Sequence, residues 1–331
     1  MKVLVTGGAG YIGSVIAAGL LAAGHDVTVY DDLSRGHRAA VAAAAQLVVA
    51  DIRDTERLTE ALTAGGCEAI VHMAALAEVA ESVAFPQRYH DVNVGGTRSV
   101  LEAARSAGVA RLVFSSTAAV YGAPETLPID EDSPLAPANP YGETKLAAER
   151  LLFEAAAASG GRLAAVALRY FNAAGADGPR GEDHAPESHL VPLALRAARD
   201  GTALKVFGDD YPTADGTCVR DYVHVRDLAE AHIAALEGLP QTAGAFNLGT
   251  GSGSSVLEVL RAVDAATARS TPVEHAGRRA GDPPVLVASN DRARRLLGWH
   301  PQRPLDDIVG DAWTWLRDHP RGYDDRTDGS R

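Results

Sequence analysis

The sequence predicts an α/β fold, a doubly wound parallel sheet of Rossmann type with a smaller α+β lobe. Two observations predict it. Short β-branched runs alternate with alanine-rich helical stretches through the first half of the chain, as strands buried between two helical layers do. The glycine-rich segment Thr6-Gly7-Gly8-Ala9-Gly10-Tyr11-Ile12-Gly13 joins the first such run to the first helical stretch.

The elements follow in order. Val3-Leu4-Val5 reads as the first strand, 11–23 as a helix and Val27-Thr28-Val29 as the second strand. A helix is expected near 37–45, then the strand Leu47-Val48-Val49 and a helix over 54–64. Ala69-Ile70-Val71, a helix over 86–107, Leu112-Val113-Phe114, a helix over 140–158 and Ala165-Val166-Ala167-Leu168 complete the regular part. After residue 172 the pattern is broken by Pro186, Pro192, Pro212 and the loop Gly208-Asp209-Asp210-Tyr211-Pro212. Val219 to Val225, followed by Asp227–Leu236, reads as a return to the sheet. The expected division is a Rossmann domain at 1–172 with 218–249 returning to it, a second lobe at 173–217 and 250–318, and a polar, disordered tail at 319–331.

The chain has 331 residues, 46% of them hydrophobic and 22% charged, with a formal charge of −12. That composition excludes disorder throughout. It also argues against nucleic acid, whose binding needs a basic face. Cys67 and Cys218 are the only cysteines, too few for a disulfide framework or a cysteine zinc site. The 11 histidines show no ligand spacing, so no metal is expected, and His72, His224 and His232 read as core or edge residues. No run is long and apolar enough for a bilayer. Glycines at 7, 8, 10 and 13 interrupt the apolar start, which suits a strand and helix better than a signal peptide. A cytoplasmic protein is expected.

Gly7, Gly10 and Gly13 have G-x-x-G-x-x-G spacing. Such a turn lets a pyrophosphate approach the backbone and meet the free N–H groups of a helix N-terminus. Asp31 ends the second strand, about 20 residues on, where a carboxylate can bind both hydroxyls of an adenosine ribose. A 2′-phosphate would be repelled there, so NAD is favoured over NADP; Arg35 and Arg38 nearby argue the other way. A solvated turn is the plainer reading of Asp31-Asp32. Asp51-Ile52, ending the third strand, is placed to meet the adenine amine and face.

Tyr141 and Lys145 stand at i and i+4 behind Asn139-Pro140, hence on one helical face. A free tyrosine, with a pKa of about 10, is a poor base at neutral pH. A nearby ammonium and a positive nicotinamide ring favour the phenolate. A surface Tyr–Lys contact is the bland alternative, but only three residues of the 31 Lys plus Arg are lysine, at 2, 145 and 205. A plain solvating charge in such a chain would be arginine, whereas the compact ammonium suits a ribose hydroxyl and a tuning role. Phe114 to Gly122 ends the fifth strand, where hydroxyls face the ligand crevice of a parallel sheet. Thr117 is placed to meet a substrate oxygen beside Tyr141. Ser115 and Ser116 suit capping of the following turn better than Thr117 does.

These stretches, with Val71–Ser82, Leu168–Ala176, Val206–Asp227, Phe246–Gly253 and Arg278–Ser289, resemble the extended short-chain dehydrogenase/reductase family from Met1 to about Trp315. Within it the chain is similar to the 4-epimerases of UDP-sugars. The resemblance implies a catalytic trio of Tyr141, Lys145 and Thr117. It implies NAD contacts at Gly7, Gly10, Tyr11, Ile12, Gly13, Asp31, Asp32, Leu33, Ser34, Arg35, Gly36, Asp51, Ile52, Met73, Ala74, Ala75, Leu76, Asn93 and Phe171, beside the trio itself. For the UDP-sugar it implies Asn172, His189, Leu190, Lys205, Val206, Phe207, Arg220, Arg279, Asp282 and Leu286, with Thr117 and Tyr141. A diphosphate needs cationic or amide donors, so Asn172, Arg220 and Arg279 make chemical sense independently. Arg278-Arg279 otherwise reads as a solvated pair.

The implied activity is interconversion of UDP-galactose and UDP-glucose through a 4-keto sugar with enzyme-bound NAD, in a homodimer built on helices 86–107 and 140–158. The sequence departs from many relatives at Ala77, where they carry lysine, and at Leu286, which is bulky tyrosine in some and small in others that accept N-acetylhexosamines. Other UDP-sugars therefore stay open as substrates: N-acetylhexosamines, pentoses or glucuronate. A nucleotide-sugar dehydratase or decarboxylase would need a carboxylate just after the active-site threonine, where this chain has Ala118-Ala119. A non-catalytic NAD-binding protein would not need Tyr141, Lys145 and Thr117 together.

Overall fold

In the computed structural model, which describes residues 1–279 and 281–323, seven parallel strands form the centre. In chain order the main elements are β1 (Lys2–Thr6), α1 (Tyr11–Ala22), β2 (Asp26–Asp31), β3 (Gln46–Val49), α2 (Thr55–Gly65), β4 (Ala69–His72) and α3 (Gly96–Ala107). Then come β5 (Arg111–Thr117), α4 (Pro140–Ala158), β6 (Ala164–Tyr170), α5 (Leu190–Asp200), α6 (Val225–Gly238), β7 (Gly244–Leu248), α7 (Val256–Thr267) and α8 (Leu305–Asp318). The sheet order is β7-β6-β5-β4-β1-β2-β3, and every pair is parallel. The order reverses between β1 and β4, and in such sheets that switch point is where ligands bind, outside the carboxyl ends of the strands.

Strand residues alternate between two cores, as the pleat requires. Val3 and Val5 pack with Ile16, Leu20, Leu228 and Leu236 under α1 and α6. Leu4 and Ile70 pack with Leu58, Leu62, Val100 and Leu152 under α2, α3 and α4. The second lobe has its own core, in which Leu195, Val259, Val263, Ile308, Val309 and Trp315 bring α5, α7 and α8 together. No helix among the described residues is long and apolar enough to cross a membrane.

Three expectations need correction. Residues 37–45 form no α-helix; only Arg38–Ala40 make a short 3₁₀ turn. Their alanines offer little apolar area for a helix face to bury, and His37 N–H donates to Ala9 O at 2.8 Å, tying the segment to the glycine loop. Val219 to Val225 does not enter the central sheet. Val219–Arg220 pairs with Ser254–Ser255 and Val285–Leu286, and Tyr222–His224 with Asn172–Ala174. The place beside β6 is taken instead by β7, while α6 returns to pack on α1. The reason lies in Asp221, fully buried between the two short strands. Its carboxylate accepts hydrogen bonds from the N–H groups of Thr250, Gly251 and Ala288, which holds the segment at the lobe junction. The tail is ordered where it begins: His319 stacks on Trp315 at 5.0 Å, and Tyr323 is 6% exposed. The rest of the predicted tail, 324–331, lies outside the described residues.

The predicted helix over 86–107 is one path with a wide π-helical turn, His90–Gly95, before α3. That turn aims Asn93 sideways, a use such bulges often serve.

Candidate active site

A cleft of about 1370 Å³ opens at the carboxyl ends of the strands, between the sheet and the lobe. Its floor at one end is the glycine loop. Gly7 has φ +68°, a left-handed conformation that favours glycine. A Cβ on Gly13 would stand 2.1 Å from Gly7 O, so only glycine lets α1 begin this close to the turn. Gly10 is the N-cap of α1 and carries no side chain to bond the first-turn N–H groups. Those groups are therefore available to an anion at the positive end of the helix dipole.

Asp31 sits beside this loop, 6% exposed. Its carboxylate accepts from Ala9 N–H at 3.0 Å and Leu33 N–H at 2.9 Å. Burial pushes its pKa up from the ordinary value, partly opposed by those two hydrogen bonds. Each oxygen keeps a further lone pair for a ribose hydroxyl. The donor set therefore fits a dinucleotide: helix N–H groups for the pyrophosphate and a carboxylate for a diol. Arg35, the sequence signal for a 2′-phosphate, is turned to Glu81 at 3.0 Å and to Ala185 O at 3.1 Å.

At the other end, Asn139 caps α4 by accepting from Gly142 N–H at 2.9 Å, and Pro140 occupies the first turn. The cap sets the start of the helix and so which face carries Tyr141 and Lys145 into the cleft. The Thr117 hydroxyl and the Tyr141 phenol line the same part of the cleft, and Thr117 acts to lower the pKa of Tyr141. Thr117 Oγ1 also accepts from Ala119 N–H at 3.1 Å, so it caps the turn after β5. That corrects the expectation that Ser115 and Ser116 would cap it: Ser116 donates to Glu149, and Ser115 meets Tyr170. A hydroxyl accepts and donates at once, so capping leaves Thr117 able to serve Tyr141.

Burial pushes Tyr141 up to about 12, with Thr117 acting against it. Burial likewise pulls Lys145 down to about 7, opposed by Glu149. The lowering of Tyr141 by a lysine ammonium, expected from the spacing, is not among the effects on it here: burial and Glu78 raise its pKa, and Thr117 lowers it.

Across the cleft, the lobe supplies Asn172, His189, Leu190, Arg220, Arg279, Asp282 and Leu286. Arg220 is anchored by Val219 O and Pro283 O, both at 2.9 Å. Arg279 lies over the Phe207 ring, 4.0 Å from its centroid. Arg278 turns away to Asp210 at 2.6 Å, so the pair is solvated on one side only.

The predicted cofactor residues Gly7, Gly10, Tyr11, Ile12, Gly13, Asp31, Asp32, Ser34, Arg35, Gly36, Asp51, Ile52, Met73, Ala74, Ala75, Leu76 and Phe171 all line the cleft, as does Ala77. Five predicted residues do not. Leu33, at φ +59°, serves the turn after Asp31. Asn93 works from behind the wall, exchanging hydrogen bonds with Leu76 N–H at 2.8 Å and Leu76 O at 3.0 Å. Lys205 is exposed, Val206 belongs to the lobe core, and Phe207 supports Arg279 from outside the lining.

The sequence reading missed Arg53, which donates to the Asp51 carboxylate and holds it below its usual range. It also missed Glu182, His184 and Glu187. With His189 they offer four donor atoms within 4.8 Å of one another. His189 Nδ1 is 2.5 Å from Glu182 Oε1, and His184 Nδ1 is 3.2 Å from it. Burial works against charge on Glu182, but the two imidazoles hold its carboxyl down to about 2. Its contribution to stability is therefore present above about pH 4.5 and is lost as pH falls toward about 2. Urea unfolding of wild type and Glu182→Gln across pH 5 to 2.5 is expected to show a shallower acid-side loss in the variant. Equal slopes would contradict this account.

With the geometry described, comparison with known proteins is decisive. The pattern of the NAD dependent epimerase/dehydratase family matches residues 3–249. The chain belongs to that family. It is 51% identical to UDP-glucose 4-epimerase of Streptomyces lividans, over 98% of this chain and 99% of the relative. It is 50% identical to that of Lacticaseibacillus casei, over 98% and 100%. Among solved structures, UDP-glucose-4-epimerase from Stenotrophomonas maltophila, with bound NAD and formylated UDP-arabinopyranose, superposes with a TM-score of 0.93 at 41% identity, covering 97% of this chain and 99% of that one. UDP-glucose 4-epimerase from Brucella ovis, in complex with NAD, gives 0.91 at 48% identity over 95% and 97%. As a member of this family the chain is an NAD-dependent sugar epimerase, and the glycine loop and Asp31 are the parts of the cleft that suit its cofactor.

Proposed function

We propose that this chain interconverts UDP-galactose and UDP-glucose by way of a 4-keto sugar. The observation that carries the proposal is one cleft in which Tyr141 and Thr117 face the same space as the glycine loop and the Arg220–Arg279 side of the lobe. Bound NAD supplies the acceptor and donor of the C4 hydride. Tyr141 takes the O4 proton and returns it, Thr117 orients O4, and Lys145 supplies the cation that favours the phenolate. Gly10 to Gly13, Asp31 and the Met73–Leu76 wall hold the dinucleotide. Asn172, Arg220 and Arg279 hold the diphosphate, leaving the sugar few contacts, because both of its faces must visit the same reacting position. Binding energy placed on the nucleotide then serves catalysis at a centre that must turn.

A dehydratase would need an acid and a base beside the threonine, and Ala118 and Ala119 line the cleft there. Leu286 on the lobe side sets the room for a C2 substituent, so N-acetylated sugars remain the second substrate class. We assign 1–171, with 225–249, to NAD and 172–224, with 250–318, to the UDP-sugar, the short strands Val219–Arg220 and Tyr222–His224 pairing on the lobe side. A cytoplasmic homodimer fits the reading: Val83 and Phe85, 63% and 57% exposed, belong to the segment that packs on α4. Light scattering on purified protein checks the dimer.

Epimerisation of UDP-galactose in deuterated water tests the chemistry. A hydride that leaves and returns within the cleft puts no deuterium on carbon. Deuterium in the carbon skeleton of the product would instead indicate proton abstraction from carbon and overturn the mechanism.

A further inference from the structure

We propose that Glu149 is a positioning residue of this active site: clamped by Arg169 and Ser116, it keeps Lys145 an ammonium and thereby sustains Tyr141 as the base. The proposal rests on the reading of Tyr141 and Lys145 given above.

Tyr141, Lys145 and Glu149 follow one another at intervals of four on α4, so they stack on one face. Lys145 and Glu149 are 3% and 2% exposed. The Glu149 carboxylate is held by three donors. Arg169 Nε reaches Oε1 at 3.0 Å, Arg169 Nη2 reaches Oε2 at 2.7 Å, and Ser116 Oγ donates to Oε1. The clamp is built into the sheet: Ser116 and Asn247 are the register neighbours of Arg169 on β5 and β7. The remaining arm of Arg169 donates from Nη1 to Tyr121 OH at 2.8 Å, and Tyr121 OH donates to Asn247 Oδ1 at 2.6 Å.

Stability alone is a weak reason for such a pair. Burying both ions costs heavily, and an apolar pair of similar volume often serves the fold as well. The pair is neutral as a whole, but its negative end lies on α4 one turn along from Lys145 and its positive end on β6. The groups around that lysine leave Glu149 to do this work. The Phe114 ring of β5 faces the ammonium, 4.7 Å from its centroid. His72, on β4, is kept neutral by burial, at about 3, so it brings no charge. Tyr170, on β6, is held protonated by burial. Arg169, also on β6, is taken up by the carboxylate, and Glu78 acts on Tyr141. Burial pulls Lys145 toward the neutral amine, and Glu149 is the group that opposes it. Without the carboxylate the lysine would shed its proton at neutral pH. Tyr141 would then lose the neighbour that favours its phenolate.

The test is the pH profile of kcat for UDP-galactose in wild type, Glu149→Gln and Glu149→Asp, with KM and the melting temperature measured alongside. In Glu149→Gln the alkaline limb is expected to move toward acid by about one unit, a loss of about tenfold in kcat above it, with KM within about twofold. Glu149→Asp keeps the charge and is expected to restore the wild-type limb. A purely structural role would lower the melting temperature or reduce kcat equally at every pH. An unshifted limb, or a uniform loss, overturns the proposal. If Glu149→Gln strands Arg169 and does not fold, Glu149→Leu with Arg169→Met removes both charges together. A smaller shift in the same direction, since the Arg169 charge goes too, supports the proposal there, and a wild-type limb overturns it. Tyr141→Phe separates the two layers of the argument. An active Tyr141→Phe defeats the base assignment itself, whereas an inactive one beside an unshifted limb in Glu149→Gln defeats the role of Glu149 alone.

Discussion

Tyr141→Phe is expected to lower kcat for UDP-galactose by about 10²–10⁴-fold, the range of a lost general base, with the folded state and bound NAD retained. The ring stays, so the packing of Tyr141 against the cleft wall is kept. Only the hydroxyl, on which Thr117 acts, is removed. The two quantities to compare are turnover and the nucleotide released on denaturation. Turnover within a few fold of wild type would remove Tyr141 from the chemistry. Loss of turnover together with loss of nucleotide would reassign it to cofactor binding. Lys145 lies one turn deeper, and its charge state sits close to neutrality, at about 7. Wild-type activity is therefore expected to vary steeply with pH in that region.

Gly13→Ala is the second large effect. Its Cβ would stand 2.1 Å from Gly7 O and 2.9 Å from Gly7 C, which are backbone atoms that no rotamer change can move. Overpacking of this kind costs about 1–3 kcal/mol even where neighbours can give. Here the strain falls on the turn that presents the N–H groups of α1. The expected result is a lower melting temperature together with NAD lost during purification. Gly95→Ala is the control, because a Cβ there meets nothing within 4 Å. A Gly13→Ala protein that melts like wild type and keeps its nucleotide would show that the loop is not what holds the dinucleotide.

The seven-stranded sheet was legible except at its last strand. Gly244–Leu248 is short and carries no β-branched residue, whereas Val219 to Val225 carries three valines. Propensity misled there because Asp221, buried and bonded to three backbone N–H groups, holds that segment at the junction of the lobes. The stretch 37–45 misled in a similar way: alanine favours helix, but too little area is available to bury. In the site, the glycine loop, Asp31, Thr117, Tyr141 and Lys145 were legible because each belongs to a short motif whose spacing is itself the geometry. Glu149 lies four residues beyond Lys145 and was passed over, since its partner Arg169 is on another element. The Glu182–His184–Glu187–His189 group mixes steps of two and three and follows no single helical or strand period, so it is brought together by the path of its loop.

Local spacing thus determined the fold class, the cofactor cradle and the tyrosine–lysine face, because turns and helices convert sequence distance directly into direction. Tertiary structure alone decided what each charge meets. Arg35 meets Glu81, Glu149 meets Arg169, and Asn93 braces Leu76 without entering the cleft. The reason is physical: the energy of a charge depends on burial and on partners from distant strands, and neither is encoded in its neighbours along the chain.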